Sequence, residues 1–224
     1  LKQRWVFDSN NPGCKDYAGQ GNHNLRVGDV DGDGCDEIIY GSCAIDHNGK
    51  GLYTTKMGHG DAIHLTHFDP SRKGLQVWDC HENKRDGSTY RDAATGEVLF
   101  QIKDNTDVGR CMAADIDPTQ PGVEMWSVAS GGIRNVEGEV VKDRVRGLSC
   151  NMAVWWDGDL LRELLDRNMV SKYNWEKGVC ERIAIFEGTL SNNGTKANPC
   201  LQGDIVGDWR EEVLLRTEDN TALR

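Results

Sequence analysis

Two sets of side chains in this sequence have the types and spacing to do chemistry. The first is a histidine–carboxylate set. His59 and Asp61 alternate in GHGDA, so both point to one side if that segment is extended. His23 stands in GNHN just ahead of an acidic stretch, and Glu82 closes LQVWDCHE. Imidazole and carboxylate together hold a divalent cation, and by ligand type alone zinc or manganese fits better than calcium. The competing reading is a scatter of surface turn histidines, which is preferred for His64 and His67. The second set is cationic. Arg110 (in DVGRCMAADID) and Lys196 (in GTKANPCLQGDI) each precede an acidic stretch by a few residues. Singly, each is an ordinary solvated charge. On one face, the two would hold the carboxylate of an anionic ligand.

A different kind of cation site is written in VGDVDGDGCDE, residues 27–37. Asp29, Asp31 and Asp33 alternate, and Asp36 or Glu37 completes the set. Calcium takes six to eight oxygen ligands from such a flexible loop. Glycine permits the sharp backbone path. Position twelve is Tyr40 rather than Glu, so the loop is no EF-hand. The expected role is structural, and the alternative is an Asx turn without metal. Asp115, Asp117 and Glu124 form a weaker version. Asp204, Asp208 and Glu212 keep the places of Asp29, Asp33 and Glu37. The stretch at 67–76 has His67 and Gln76 where the others have carboxylates, and is expected to have lost its ion.

These stretches repeat, and the repeat sets the elements. THFDPSRKGLQVW (66–78) superposes without a gap on ADIDPTQPGVEMW (114–126), with Trp78 matching Trp126. AVWWDGDLLREL (153–164) reads as a further strand, turn and strand. HNGKG (47–51) carries an Asn-Gly hairpin signal, and DAATGEVLFQI (92–102) reads as turn then strand. The unit is about 40 to 50 residues long, the period of a propeller blade of four short strands. At that period the chain supplies roughly five blades of an incomplete ring. The expected class is therefore all-β, a β-propeller; a β-sandwich with acidic loops is the alternative.

Composition agrees and also excludes. Twenty-six glycines and seven tryptophans in 224 residues suit a sheet protein better than a helical one. The net charge of −10 argues against nucleic acid as a partner, and no apolar run is long enough for a membrane helix. The eight cysteines contain no CxxC and are expected to be free thiols, although Cys35 and Cys43 are near enough to close a local loop. The chain opens LKQRWVF and closes TEDNTALR, and is expected to be a piece of a longer protein.

With these phrases in hand, the sequence resembles the rhamnogalacturonan lyases of polysaccharide lyase family eleven. The matching stretches are RVGDVDGDGCDEIIYG, MGHGDAIHLTHFDP, GLQVWDCHE, DVGRCMAADIDP, SGGIRNV and GTKANPCLQGDIVGDWREEV, spread over nearly the whole chain. The resemblance implies an eight-bladed propeller with several calcium ions, of which residues 1–224 are part of one catalytic domain, with blades missing at both ends. It implies a functional calcium site at His23, His59, Asp61 and Glu82, replacing the zinc or manganese of the unaided reading. It implies catalytic roles for Arg110 and Lys196, and places a further family tyrosine beyond residue 224. The implied reaction is calcium-assisted β-elimination on an anionic pectic polysaccharide by a secreted, monomeric enzyme. A glycoside hydrolase needs two carboxyl groups flanking the bond. Most carboxylates here are committed to acidic loops. A calcium-stabilised propeller that only binds glycans is the remaining alternative.

Overall fold

The structure is a computed structural model and describes residues 2–224. Its elements are short antiparallel strands, joined largely by tight turns. The first sheet holds β1 (Arg26–Gly28), β2 (Glu37–Tyr40), β3 (Cys43–Ile45) and β4 (Gly51–Thr54). The second holds β5 (Ile63–Thr66), β6 (Gln76–Cys80), β7 (Ser88–Asp92) and β8 (Val98–Ile102). The third holds β9 (Cys111–Ala114), β10 (Glu124–Ser127), β11 (Gly132–Arg134) and β12 (Val140–Asp143). The fourth holds β13 (Met152–Val154), β14 (Glu163–Asp166), β15 (Met169–Asn174) and β16 (Val179–Ile185). In each, the four strands pair in chain order. Among the described residues, the helical turns are two single 3-10 turns, Lys15–Tyr17 and Gly194–Lys196.

The all-β expectation and the four-strand unit agree with this topology. The expected count of about five units is met by four complete ones and a remainder. The remainder forms two two-stranded ladders: β17 (Thr189–Leu190) with β20 (Arg216–Thr217), and β18 (Leu201–Gly203) with β19 (Glu212–Leu214). The described sheets do not close into a ring.

Apolar side chains pack between successive sheets rather than within one. Ile39 and Ala44 of the first sheet meet Ile63 and Val77 of the second. Trp78, Tyr90 and Phe100 of the second meet Cys111 and Met125 of the third. Met112, Trp126 and Ile133 of the third meet Leu164 and Tyr173 of the fourth. The repeated tryptophans tie the units together. Trp78 Nε1 donates to the Trp126 carbonyl at 3.1 Å, and Trp126 Nε1 donates to the Ser149 carbonyl at 2.8 Å. Removing either buried indole would cost about 3–5 kcal/mol. The first strands also touch in series, β1 on β5, β5 on β9 and β9 on β13. Loops at the same end of these strands are thereby brought to a common mouth.

The glutamate or glutamine that recurs at the start of each second strand has a shared task. Glu37 accepts the Val30 N–H at 3.0 Å. Gln76 accepts those of Phe68 and Asp69 at 3.0 and 3.2 Å. Glu124 accepts Ile116 and Asp117 at 2.8 and 2.9 Å, and Glu163 accepts Trp156 and Asp157 at 3.0 and 3.3 Å. Glu212 accepts Ile205 and Val206 at 2.7 and 3.2 Å. Each clamps the connection leading out of the first strand of its unit, satisfying backbone donors that no strand ladder pairs.

Candidate active site

Three segments converge at the mouth. The segment 58–62 is gripped on both sides: Gly60 O accepts from His23 N at 3.2 Å, and His59 O accepts from Glu82 N at 3.1 Å. Gly60 is required there, because a Cβ would meet the Cys80 carbonyl oxygen at 2.0 Å. This grip brings His23, His59, Asp61 and Glu82 together, with one donor atom of each within 4.8 Å of the others. The two imidazoles meet edge to face, 4.7 Å between centroids. His59 Nδ1 lies 2.6 Å from the Gly21 carbonyl oxygen, which fixes that nitrogen as the protonated one and leaves Nε2 free as a ligand.

Asp61 is the pivot. It is buried, and His23 Nε2 lies 3.2 Å from its Oδ1 without hydrogen-bonding alignment, so that oxygen has no donor. Its other oxygen makes an ion pair with the Lys196 ammonium. Two nitrogen ligands, a second carboxylate and an orphaned carboxylate oxygen fit a divalent cation.

Lys196 and Arg110 are the other half. Lys196 ends the turn Gly194–Lys196, whose flanks Asn193 and Ala197 hold left-handed backbone at φ 58° and 52°. Such strain persists only where the surroundings enforce it. Here Ala197 is fully buried, and the Lys196 carbonyl accepts from Arg110 Nη2 at 3.1 Å. Arg110 also donates from Nε to Asn151 Oδ1 at 3.2 Å, and Asn151 is itself anchored on Asp166 at 2.7 Å. Among the described residues Arg110 has no ion-pair partner, so its charge is free for a ligand. Burial pushes both the Lys196 amine and the Arg110 guanidinium below their ordinary values. For Lys196 the Asp61 carboxylate pulls the other way. His23, Asp61, Arg110 and Lys196 line one cavity of about 740 Å3.

The profile of the rhamnogalacturonan lyase family 11 C-terminal domain matches residues 1–224. The chain belongs to this family. It is 53% identical over 241 residues to the rhamnogalacturonan exolyase YesX of Bacillus subtilis (strain 168), and 52% identical over 226 residues to the endolyase YesW of the same organism. These alignments cover all of this chain but only 39% and 36% of the relatives, so it spans less than two-fifths of their length. The crystal structure of YesW superposes with a TM-score of 0.95 at 52% identity, covering 99% of this chain and 38% of that one. The PL11 rhamnogalacturonan lyase of Bacillus licheniformis matches with a TM-score of 0.95 at 50% identity, over 100% of this chain and 38% of its own.

The acidic loops of this family 11 chain differ from one another. Asp29, Asp31 and Asp33 cluster within 4.8 Å, and so do Glu37, Asp46 and His47 beside them. Glu37 is fully buried, and its second oxygen has no donor. Among the described residues, Asp115, Asp117 and Glu124 do not form such a cluster, nor do Asp204, Asp208 and Glu212. Asp117 instead caps Thr119, whereas Asp204 accepts the backbone N–H groups of its own loop just as Asp29 does. Burial, with Asp115 and Asp117 nearby, pushes Glu124 up to about 8. The loop of the fourth sheet was not read as a cation site from sequence, yet Asp157, Asp159 and Glu163 do cluster. A lysine lies among them: Lys172 Nζ bonds Asp157, reaches Asp159 at 2.6 Å and reaches Glu163 at 2.9 Å. All eight cysteines, Cys35 and Cys43 included, are free thiols.

Sequence reasoning named six candidates but missed Asn151, which orients Arg110, and two further arginines on the cavity wall. Asn151, Arg26 and Arg162 carry no local signal. Arg26 opens the first sheet, whereas Asn151 and Arg162 adjoin the first two strands of the fourth, and only the contact of first strand on first strand brings them to one cavity.

Proposed function

We propose that this chain carries the reaction centre of a rhamnogalacturonan lyase that cleaves rhamnosyl–galacturonosyl backbone bonds by β-elimination. The observation that carries this reading is the meeting of Arg110, Lys196 and the His23–His59–Asp61–Glu82 group at one cavity mouth. A galacturonate holds its C5 proton tightly until its carboxylate charge is offset. The Arg110 guanidinium, held by Asn151 and the Lys196 carbonyl, is oriented to bind that carboxylate. Calcium is the cation we assign to the four-residue group, following the family, and when bound it would add positive charge beside the same carboxylate. A cation held by Asp61 would weaken the ion pair between that carboxylate and Lys196. With Arg110 alongside, its amine is then driven toward the neutral form. Lys196 takes the C5 proton, the C5–H electrons become the C4=C5 double bond, and O4 leaves with the C4–O4 pair and gains a proton.

The same reading makes the four sheets and the partial fifth unit blades of a propeller. The partner is an anionic pectic chain too large to enter a cell, so the site of action is extracellular and no second copy is needed. The test is direct. The full-length protein is mixed with rhamnogalacturonan I and calcium, and the ultraviolet absorbance of the unsaturated uronate is followed. Chain shortening without that absorbance would make it a hydrolase. Binding with no shortening would make it a glycan-binding module.

A further inference from the structure

We propose that Arg26 and Arg162 form a second anion-binding subsite, beyond Arg110 and Lys196 in the same cavity, which takes the carboxylate of a further uronate on the bound polysaccharide. The identity of the anion rests on the function proposed above; the presence of an anion site does not.

Arg26 opens β1, the first strand of its sheet, and lines the large cavity. Among the described residues it is in no ion pair, and its side chain's one hydrogen bond is a long contact to the neighbouring Leu25 carbonyl at 3.4 Å. Burial pushes its guanidinium below the ordinary value. Arg162 uses Nη2 on the Ala153 carbonyl at 2.7 Å and on Glu211 at 3.0 Å, while its Nε is buried with no acceptor. Arg26, Arg162 and His64 also line an adjoining cavity of about 440 Å3 that Arg110 and Lys196 do not reach. Asp115 is the one carboxylate on that wall.

A half-buried guanidinium with no counter-ion is costly, and each unmade hydrogen bond adds to the cost. In a chain of net charge −10, carboxylates are plentiful, yet among the described residues none forms an ion pair with Arg26. The unmet charge and the idle Nε are what an incoming carboxylate would satisfy. Trp155 forms part of the same wall, 5.2 Å from the Arg162 guanidinium carbon, and offers a flat apolar face of the kind that a sugar ring stacks on. In an alternating polymer every second sugar is a uronate. A chain held by Arg110 at one carboxylate therefore presents another at a fixed spacing.

The experiment uses the full-length protein and its Arg26→Gln variant, with rhamnogalacturonan oligosaccharides of increasing length. The expected result is a KM about tenfold higher for long substrates, with kcat unchanged and the shortest cleaved substrate unaffected. An equal KM for wild type and variant at every length, with a normal melting curve, would overturn the subsite. If Arg26→Gln melts early, Arg162→Lys, which keeps the charge but lacks the fork, is expected to show the same length-dependent rise, and its absence would also overturn it. Sulfate as a probe separates the two claims. It should raise the melting temperature of wild type more than that of Arg26→Gln, in which Arg110 and the general effect of sulfate remain. That result with no cleavage of rhamnogalacturonan would refute the proposed function and leave the anion site standing. Equal sulfate shifts in both proteins would refute the site.

Discussion

Asp61 touches both halves of the centre, and its two oxygens explain why the halves were legible separately but not together. GHGDA and GTKAN lie more than a hundred residues apart, and nothing local says that Lys196 ends on Asp61. Residue types fixed the candidates; the pairing came from the stacking of sheets. Replacing Lys196 by Ala in the full-length protein is expected to lower the elimination rate by about 10²–10⁴-fold, the usual worth of a positioned base. The melting curve should stay within a degree or two. Turnover at the wild-type rate would remove Lys196 from the chemistry. His64 gives a second residue-scale expectation, and here the surface-turn reading fails. The residue lies on strand β5 with its ring part-buried, Nε2 meets the Cys111 carbonyl at 3.1 Å, and burial, helped by Arg26, Arg162 and Arg110, pushes it down to about 4. The unfolded chain takes up a proton near pH 6.5 that the folded protein refuses until about 4, so stability is lost as pH falls through that window. The full loss is about 3 kcal/mol. His64→Gln should flatten this part of the stability–pH curve by denaturant titration, and an unchanged slope would contradict the assignment.

At the scale of elements, the repeat was legible because the clamp recurs seven or eight residues after the backbone it holds, as from Val30 to Glu37 and from Phe68 to Gln76. Its meaning was not. A Glu beside alternating aspartates reads as a metal ligand, whereas one oxygen is spent on backbone N–H groups in all five units. Gln76 shows that the clamp needs an acceptor and no charge. The fourth unit goes further. Gln76 stands opposite Asp92 on the neighbouring strand, and extending the register by one step sets Glu163 by Lys172, Glu37 by Asp46 and Glu124 by Asn135. Burial would push the Lys172 amine down, but its bonds to Asp157, Asp159 and Glu163 prevail and hold it above its ordinary value. The ammonium occupies the place a cation would take. Lys172→Ala should therefore lose about 1–3 kcal/mol in chelator, and added calcium should restore most of it. Loss that calcium does not repair would mean that the three carboxylates cannot gather an ion without the lysine.

Across the whole molecule, two kinds of carboxylate group lie in different places. One is at the mouth, shared between the first two sheets. The other belongs to the first sheet alone, in the loop of Asp29, Asp31 and Asp33, with a separate Glu37, Asp46 and His47 group beside it. A cation at the mouth would bear on substrate, whereas one in the loop would pin the connection from β1 to β2. Neither the sheet stacking nor this division could be read from periodicity, which gives unit length but not what lies between units. The separation makes the two roles independent, and chelation should expose them. A cation bound a hundredfold above its dissociation constant adds about 2.7 kcal/mol to stability, which chelator removes. In the full-length protein, Asp31→Ala should lose most of the calcium-dependent rise in melting temperature and keep turnover. His59→Ala should keep that rise and lose turnover. Calorimetry and the absorbance assay, each run with and without calcium, read the two effects side by side. If both variants lose both properties together, the mouth and the loop act as one site, and the assignment of separate roles is wrong.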